Sequence, residues 1–101
     1  MPLAVAVDQG RIEEFCRKWK VAELSLFGSA LGEDFGPESD VDVLVQLDED
    51  APWDAFHWVD MIEELKDIFG RDVDLVEKTA IRNPFRRHHI LSHREVIYAA
   101  R

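Results

Sequence analysis

Two aspartates flank a single valine in Asp40-Val41-Asp42, inside an alternating run that ends at Leu47. Side chains two apart on a strand project from the same face, about 7 Å from one another. Carboxylates at that spacing can chelate hard cations, which take oxygen ligands. Two Mg²⁺ ions about 3.5–4 Å apart would clamp the attacking and leaving oxygens of an in-line displacement. Asp74 belongs to a second run, Asp72 to Glu77, with Val73 and Leu75 on one face and Asp72, Asp74 and Val76 on the other. If that strand lies beside the first, Asp74 brings a third carboxylate to the same face. Three converging carboxylates repel one another strongly without a cation.

Gly28-Ser29 ends an earlier apolar run, Val21 to Phe27. A glycine there lets the backbone approach a ligand closely. A helical turn starting at Ser29 would point free N–H groups at an anion, with the hydroxyl as a further donor. A triphosphate would then lie between the Gly-Ser turn and the metals. Taken singly, Asp-x-Asp on a strand is ordinary solvent-facing polarity and Gly-Ser an ordinary turn. Their combination with Asp74 favours chemistry.

The elements that must position these residues follow from periodicity. Asp8 can cap a helix from about Gln9 to Lys20, with Ile12, Phe15, Cys16 and Trp19 as its buried stripe. Val21 to Phe27 reads as a strand, Ala30-Leu31 as a short helical turn, and Gly32 to Ser39 as a loop. Asp40 to Leu47 is the clearest strand. A second helix, with Pro52 near its start, buries Trp58, Ile62, Leu65 and Phe69 and stops at Gly70. Strand Asp72 to Glu77 follows. Asn83-Pro84 then opens a helical segment to about Ser92, and Glu95 to Ala99 suits either a last strand or continued helix. The expectation is one α+β domain over residues 1–101, a small mixed β-sheet with helices packed on it.

Gly28-Ser29, ten residues, then Asp40-x-Asp42 resembles the signature of minimal nucleotidyltransferases in the DNA polymerase β superfamily. Leu24 to Ser29 and Ser39 to Val45 are similar to the segments around that signature, and Asp72-Val73-Asp74-Leu75-Val76 resembles the family's third-carboxylate strand. Asn83-Pro84 followed by Ile90-Leu91 resembles its C-terminal segment. The resemblance implies a polymerase β-like fold and Mg²⁺-dependent transfer of AMP from ATP. It implies that Asp40 and Asp42 bind both metals, that Asp74 holds the catalytic metal and can serve as general base, and that Gly28 and Ser29 hold the β- and γ-phosphates. Larger relatives, such as aminoglycoside nucleotidyltransferases, carry a further acceptor domain that has no counterpart here. Minimal members are commonly encoded beside an all-helical HEPN protein. Several such pairs resemble toxin–antitoxin systems in which the nucleotidyltransferase adds AMP to a toxin tyrosine. The resemblance therefore implies a HEPN-type partner protein. The alternative function is a binding module that neutralises such a partner by contact alone.

Composition bounds the rest. The net charge of −9 argues against general binding to a DNA or RNA backbone. Residues 33–54 hold nine acids and no base, whereas residues 78–101 hold six bases and one acid, so phosphates need a cation in the first region and meet an attractive field in the second. No apolar run approaches the roughly 18 residues of a membrane span, and the apolar start, Met1 to Val7, lacks the basic flank of a signal peptide. The single cysteine, Cys16, excludes an internal disulfide and fits a reducing cytoplasm. His89 and His93 have the i, i+4 spacing of a zinc pair, yet no third ligand lies near them in sequence. Glu23 and Glu77 read as surface charges, and Trp19, Trp53 and Trp58 as core or interface residues.

Overall fold

The computed structural model describes residues 7–31 and 39–100. Strands β1 (Val21–Phe27), β2 (Val41–Leu47), β3 (Val73–Glu77) and β4 (Arg94–Ala99) form one sheet in the order β3-β2-β1-β4. β1 runs antiparallel to both β2 and β4, while β2 and β3 are parallel. Parallel neighbours need a long crossover, and helix α2 (Ala55–Phe69) supplies it. Helices α1 (Gln9–Lys18) and α3 (Pro84–Ser92) complete an α+β fold. Residues 94–99, whose pattern allows strand or helix, pair with β1 as a strand. The expected Gly32-to-Ser39 loop falls, up to residue 38, outside the described residues, as do residues 1–6 of the apolar start.

The alternation within β2 divides the molecule into two apolar layers. Val41, Val43 and Val45 join Ile12, Phe15 and Cys16 of α1 and Met61, Leu65 and Phe69 of α2 in the larger cluster. Leu44 goes to the other face, where it packs with Phe27, Ile81 and Ile90. The partition continues into β3, with Leu75 and Val73 in the first layer and Val76 in the second. Each fully buried aliphatic side chain here contributes about 1.5–3 kcal/mol, so the larger layer fixes which way each strand faces. A one-residue slip of β2 would bury Asp42 in it.

Each helix starts at a side-chain cap. The Asp8 carboxylate accepts from the Arg11 backbone N–H at 3.2 Å, and Asn83 Oδ1 accepts from those of Phe85 and Arg86 at 2.9 and 3.1 Å. α1 ends at Lys18, two residues short of the periodicity's prediction, because Trp19 forms the C-cap and Lys20 turns with a positive φ of 55°. α2 begins three residues after Pro52. Trp53 is turned inward, its indole N–H donating to the Trp19 carbonyl at 2.6 Å, and Asp54 takes the cap. Asp54 Oδ1 accepts from the backbone N–H groups of Phe56 and His57, and the Asp54 N–H donates back to His57 Nδ1 at 3.3 Å. The His57 backbone N–H, foremost, holds the Asp54 carboxyl below the ordinary carboxylate range. The buried stripe of α2 includes Met61, which the sequence reading omitted, while Trp58 and Ile62 are half-buried.

Candidate active site

β2 and β3 pair so that Asp42 stands directly beside Asp74, with Val41 beside Val73 and Val43 beside Leu75. The valines and Leu75 enter the larger core, so alternation sends both aspartates to the opposite face. Asp42 is half-buried there and Asp74 exposed. Asp40 precedes β2 by one residue, is exposed, and shares the parity of Asp42. Two contacts fix the backbone around it. The Val41 N–H donates to the Asp72 carbonyl at 2.9 Å, and the Arg71 guanidinium donates to the Ser39 carbonyl at 3.3 Å. The start of β3 thus holds the chain that carries Asp40. Sequence reasoning missed Arg71, whose only signal was its place just ahead of the third acidic strand.

Gly28 meets this face from the end of β1. Phe27 pairs with Asp42 in the antiparallel register, and Gly28 follows with a φ of +64°, opening a 3-10 turn over Gly28–Leu31. A Cβ built on Gly28 would come within 2.3 Å of Asp42 Oδ2. The sequence pointed to a glycine that admits a ligand. The structure adds that the same glycine makes room for the Asp42 carboxylate. The backbone turn at Ser29 is described, but its side chain lies outside the described atoms.

The site brings Asp42, Asp74 and Gly28 together, with Asp40 on the adjoining chain. Among the described residues, no group of three or more His, Cys, Asp or Glu side chains is gathered closely enough to hold a metal ion alone. Mg²⁺ does not require such a cage, because it is usually held by one or two carboxylates together with substrate phosphates and water. Hard oxygen donors on adjacent strands, facing a glycine turn, fit that requirement. His89 and His93 do stack, with ring centroids 4.5 Å apart. No third ligand joins them among the described residues, so the zinc reading gains nothing.

The other candidates resolve as packing or pairing. Trp19 is buried, and Trp53 and His57 pack edge-on or tilted around it. Glu23 is not a free surface charge. It accepts from the Arg94 guanidinium across the β1–β4 pair, both side chains being mostly buried. No local pattern in sequence marks that pair, since its members lie at opposite ends of the chain. Burial, with the nearby Glu13 charge adding to it, pushes the Cys16 thiol up to about 12. No described helix is long and apolar enough to cross a membrane.

Comparison with known proteins decides the family. Residues 11–97 match the model of the nucleotidyltransferase domain family. The chain belongs to that family. A Methanocaldococcus jannaschii protein bearing the provisional name of protein adenylyltransferase is 38% identical over 68 residues, covering 67% of this chain and 68% of its own. A chain of a toxin–antitoxin crystal structure with AMP-PNP superposes with a TM-score of 0.73 at 18% identity, over 94% of this nucleotidyltransferase and 76% of that chain. Another, from a complex of a tri-AMPylated Shewanella oneidensis HEPN toxin with an MNT antitoxin, gives 0.62 at 18% identity, over 91% and 70%. These two likenesses are of fold. Family membership makes this nucleotidyltransferase an enzyme.

Proposed function

We propose that this nucleotidyltransferase transfers AMP from ATP to a hydroxyl of a partner protein, and that it is the antitoxin of a pair whose other member is HEPN-like. The observation that carries the reading is the register of Asp42 on Asp74 with the Gly28 turn against Asp42. The names of the relatives support the chemistry and the type of partner. Asp40, Asp42 and Asp74 would hold Mg²⁺, which when bound neutralises charge on the triphosphate and the reacting oxygens. Gly28 and Ser29 would receive the β- and γ-phosphates, the N–H groups of the 3-10 turn supplying donors. The acceptor oxygen attacks the α-phosphorus, the bond to the β-phosphate oxygen breaks, and pyrophosphate leaves. The hydroxyl proton passes to the Asp74 carboxylate. Positioning and fixed charge supply the acceleration. The absence of any internal disulfide fits work in a reducing cytoplasm.

Incubation with Mg²⁺, α-labelled ATP and the protein encoded beside it tests the reading. Label is expected on the partner, with release of pyrophosphate, and is expected to vanish in Asp42→Asn. Undiminished labelling by that variant would sink the proposed site, and an unlabelled partner would sink the proposed acceptor.

A further inference from the structure

The chain carries 21 acids against 12 lysines and arginines, and most of its described bases are taken up within the molecule. Arg11, Arg17, Lys18, Lys20, Lys66 and Arg94 face carboxylates. Arg71, Lys78 and Arg87 donate to carbonyl or amide oxygens. Arg82 and Arg86 are exposed, and neither pairs with a carboxylate among the described residues. Arg86 also borders a cavity of about 380 Å³ between Phe27 and α3, whose described lining holds no acid. Between the two arginines, Phe85 is 85% exposed on the first turn of α3, which the Asn83 cap holds in place. Aromatic and arginine side chains are enriched where proteins meet one another.

A complement to this knob lies on the same chain. A second cavity, of about 390 Å³, opens where β2 and β3 end. Asp48, Glu49 and Glu77 give it an acidic rim, and Leu47, Ala51 and Trp53 give it apolar walls. Asp48 and Glu49 are exposed, and no lysine or arginine pairs with either among the described residues. Knob and socket share one end of the molecule. Thr79 lines the socket, and the Arg87 guanidinium, on the helix that carries Phe85, donates to the neighbouring Lys78 carbonyl at 2.8 Å.

We infer that two copies of the chain form a two-fold dimer, Phe85 of each entering the acidic cavity of the other. A two-fold axis places the same patch of both copies face to face, so a surface that holds knob and socket side by side makes the contact twice and closes. Phe85 gains the apolar walls and an aromatic neighbour in Trp53. Arg82 and Arg86 gain Asp48 and Glu49, and a guanidinium grips a carboxylate through paired N–H groups. The socket suits this occupant in both charge and polarity, and every copy carries it. The dimer stands or falls independently of the transfer chemistry.

Sedimentation velocity of the full chain, over a concentration series reaching the millimolar range, reads the equilibrium between monomer and dimer. The wild type is expected to dimerise. Phe85→Ser is expected to raise the dissociation constant at least about ten-fold. Reversing the knob's charges, Arg82→Glu with Arg86→Glu, is expected to weaken the dimer at least as much, and so is reversing the socket's, Asp48→Arg with Glu49→Arg. Both reversals in one chain should restore the dimer, since they exchange the signs and keep the match. All these side chains are exposed, and circular dichroism checks that each variant is folded. A wild type that stays monomeric throughout would overturn the dimer. A dimer indifferent to Phe85→Ser would overturn the knob, and a fully reversed chain no tighter than the half-reversed ones would overturn the pairing of the two surfaces.

Discussion

Asp42 stands beside Asp74 in the parallel pairing of β2 and β3, on the sheet face away from α1 and α2. The helices give that face its identity. They bury the valines that alternate with Asp42, and so leave the aspartates on the side where a nucleotide can reach them. Neutralising either carboxylate should cost transfer without costing the fold. Asp42→Asn and Asp74→Asn are expected to lower the rate of AMP transfer by on the order of 10²–10³ or more, with a cooperative thermal melt retained. Labelling rates and circular dichroism on the same samples check both halves.

Gly28 is constrained twice, by its positive φ and by the nearness of Asp42. Gly28→Ala places a methyl group where the carboxylate now lies, so Asp42 must move. The strained backbone costs about 1–2 kcal/mol, readable as a lower urea midpoint at unchanged slope. The displaced carboxylate predicts a transfer defect larger than this stability loss explains. Wild-type activity in Gly28→Ala would show that Asp42 does not act from its observed position.

How far the sequence revealed this molecule depended on how local each feature is. Periodicity placed all three helices and the β2 and β3 strands, because amphipathic spacing is written within each element. It put the same parity on Asp42, Asp74 and Val76, and the pairing of the strands agrees. Features set between distant segments stayed hidden. The Arg71 contact to Ser39, the Arg94 pairing with Glu23 and the cavity that joins Phe27 to α3 each need the closed sheet before they exist. The exact start of α2 was likewise left open, since the sequence placed only Pro52 near it. Pro52 is a permissive first-turn residue, whereas the structure caps the helix at Asp54, next to Trp53, whose indole donates to the Trp19 carbonyl.

Glu23 and Arg94 fasten the last strand to the sheet. β4 lies at the sheet edge, paired to β1 alone, and the ion pair is largely shielded from water. Exposed pairs contribute about 0–1 kcal/mol, whereas charge-assisted hydrogen bonds under partial burial reach about 1.5–3 kcal/mol. Glu23→Gln is therefore expected to cost about 1–2 kcal/mol. Amide exchange should accelerate at Val96 and Tyr98 before it does in β2. Uniform acceleration across the sheet would mean that the pair stabilises the whole fold instead.

Cys16 lies in the α1 stripe with its thiol pushed up to about 12 by burial. Only the thiolate reacts readily with disulfides and alkylating agents. Native protein is expected to take up a thiol-specific reagent at pH 8 far more slowly than denatured protein, at a rate set by opening of the α1 layer. Rapid native labelling would mean that α1 detaches from the sheet under native conditions.

Asp54 offers a pH test of the α2 cap. Its carboxyl is held below its ordinary value chiefly by the His57 backbone N–H, with further support from the His57 ring and the Phe56 N–H. A carboxyl whose folded value lies below its unfolded one contributes stability that is present above the unfolded value. That contribution fades as pH falls through the folded one. Since the ordinary value is 3.8, the cap should be fully effective at neutral pH and lost only in acid below that value. Asp54→Ala is thus expected to melt below wild type at pH 7, by several degrees, and the gap should close as pH drops under about 4. A gap that persists undiminished in acid would show that Asp54 stabilises α2 through contacts independent of its charge.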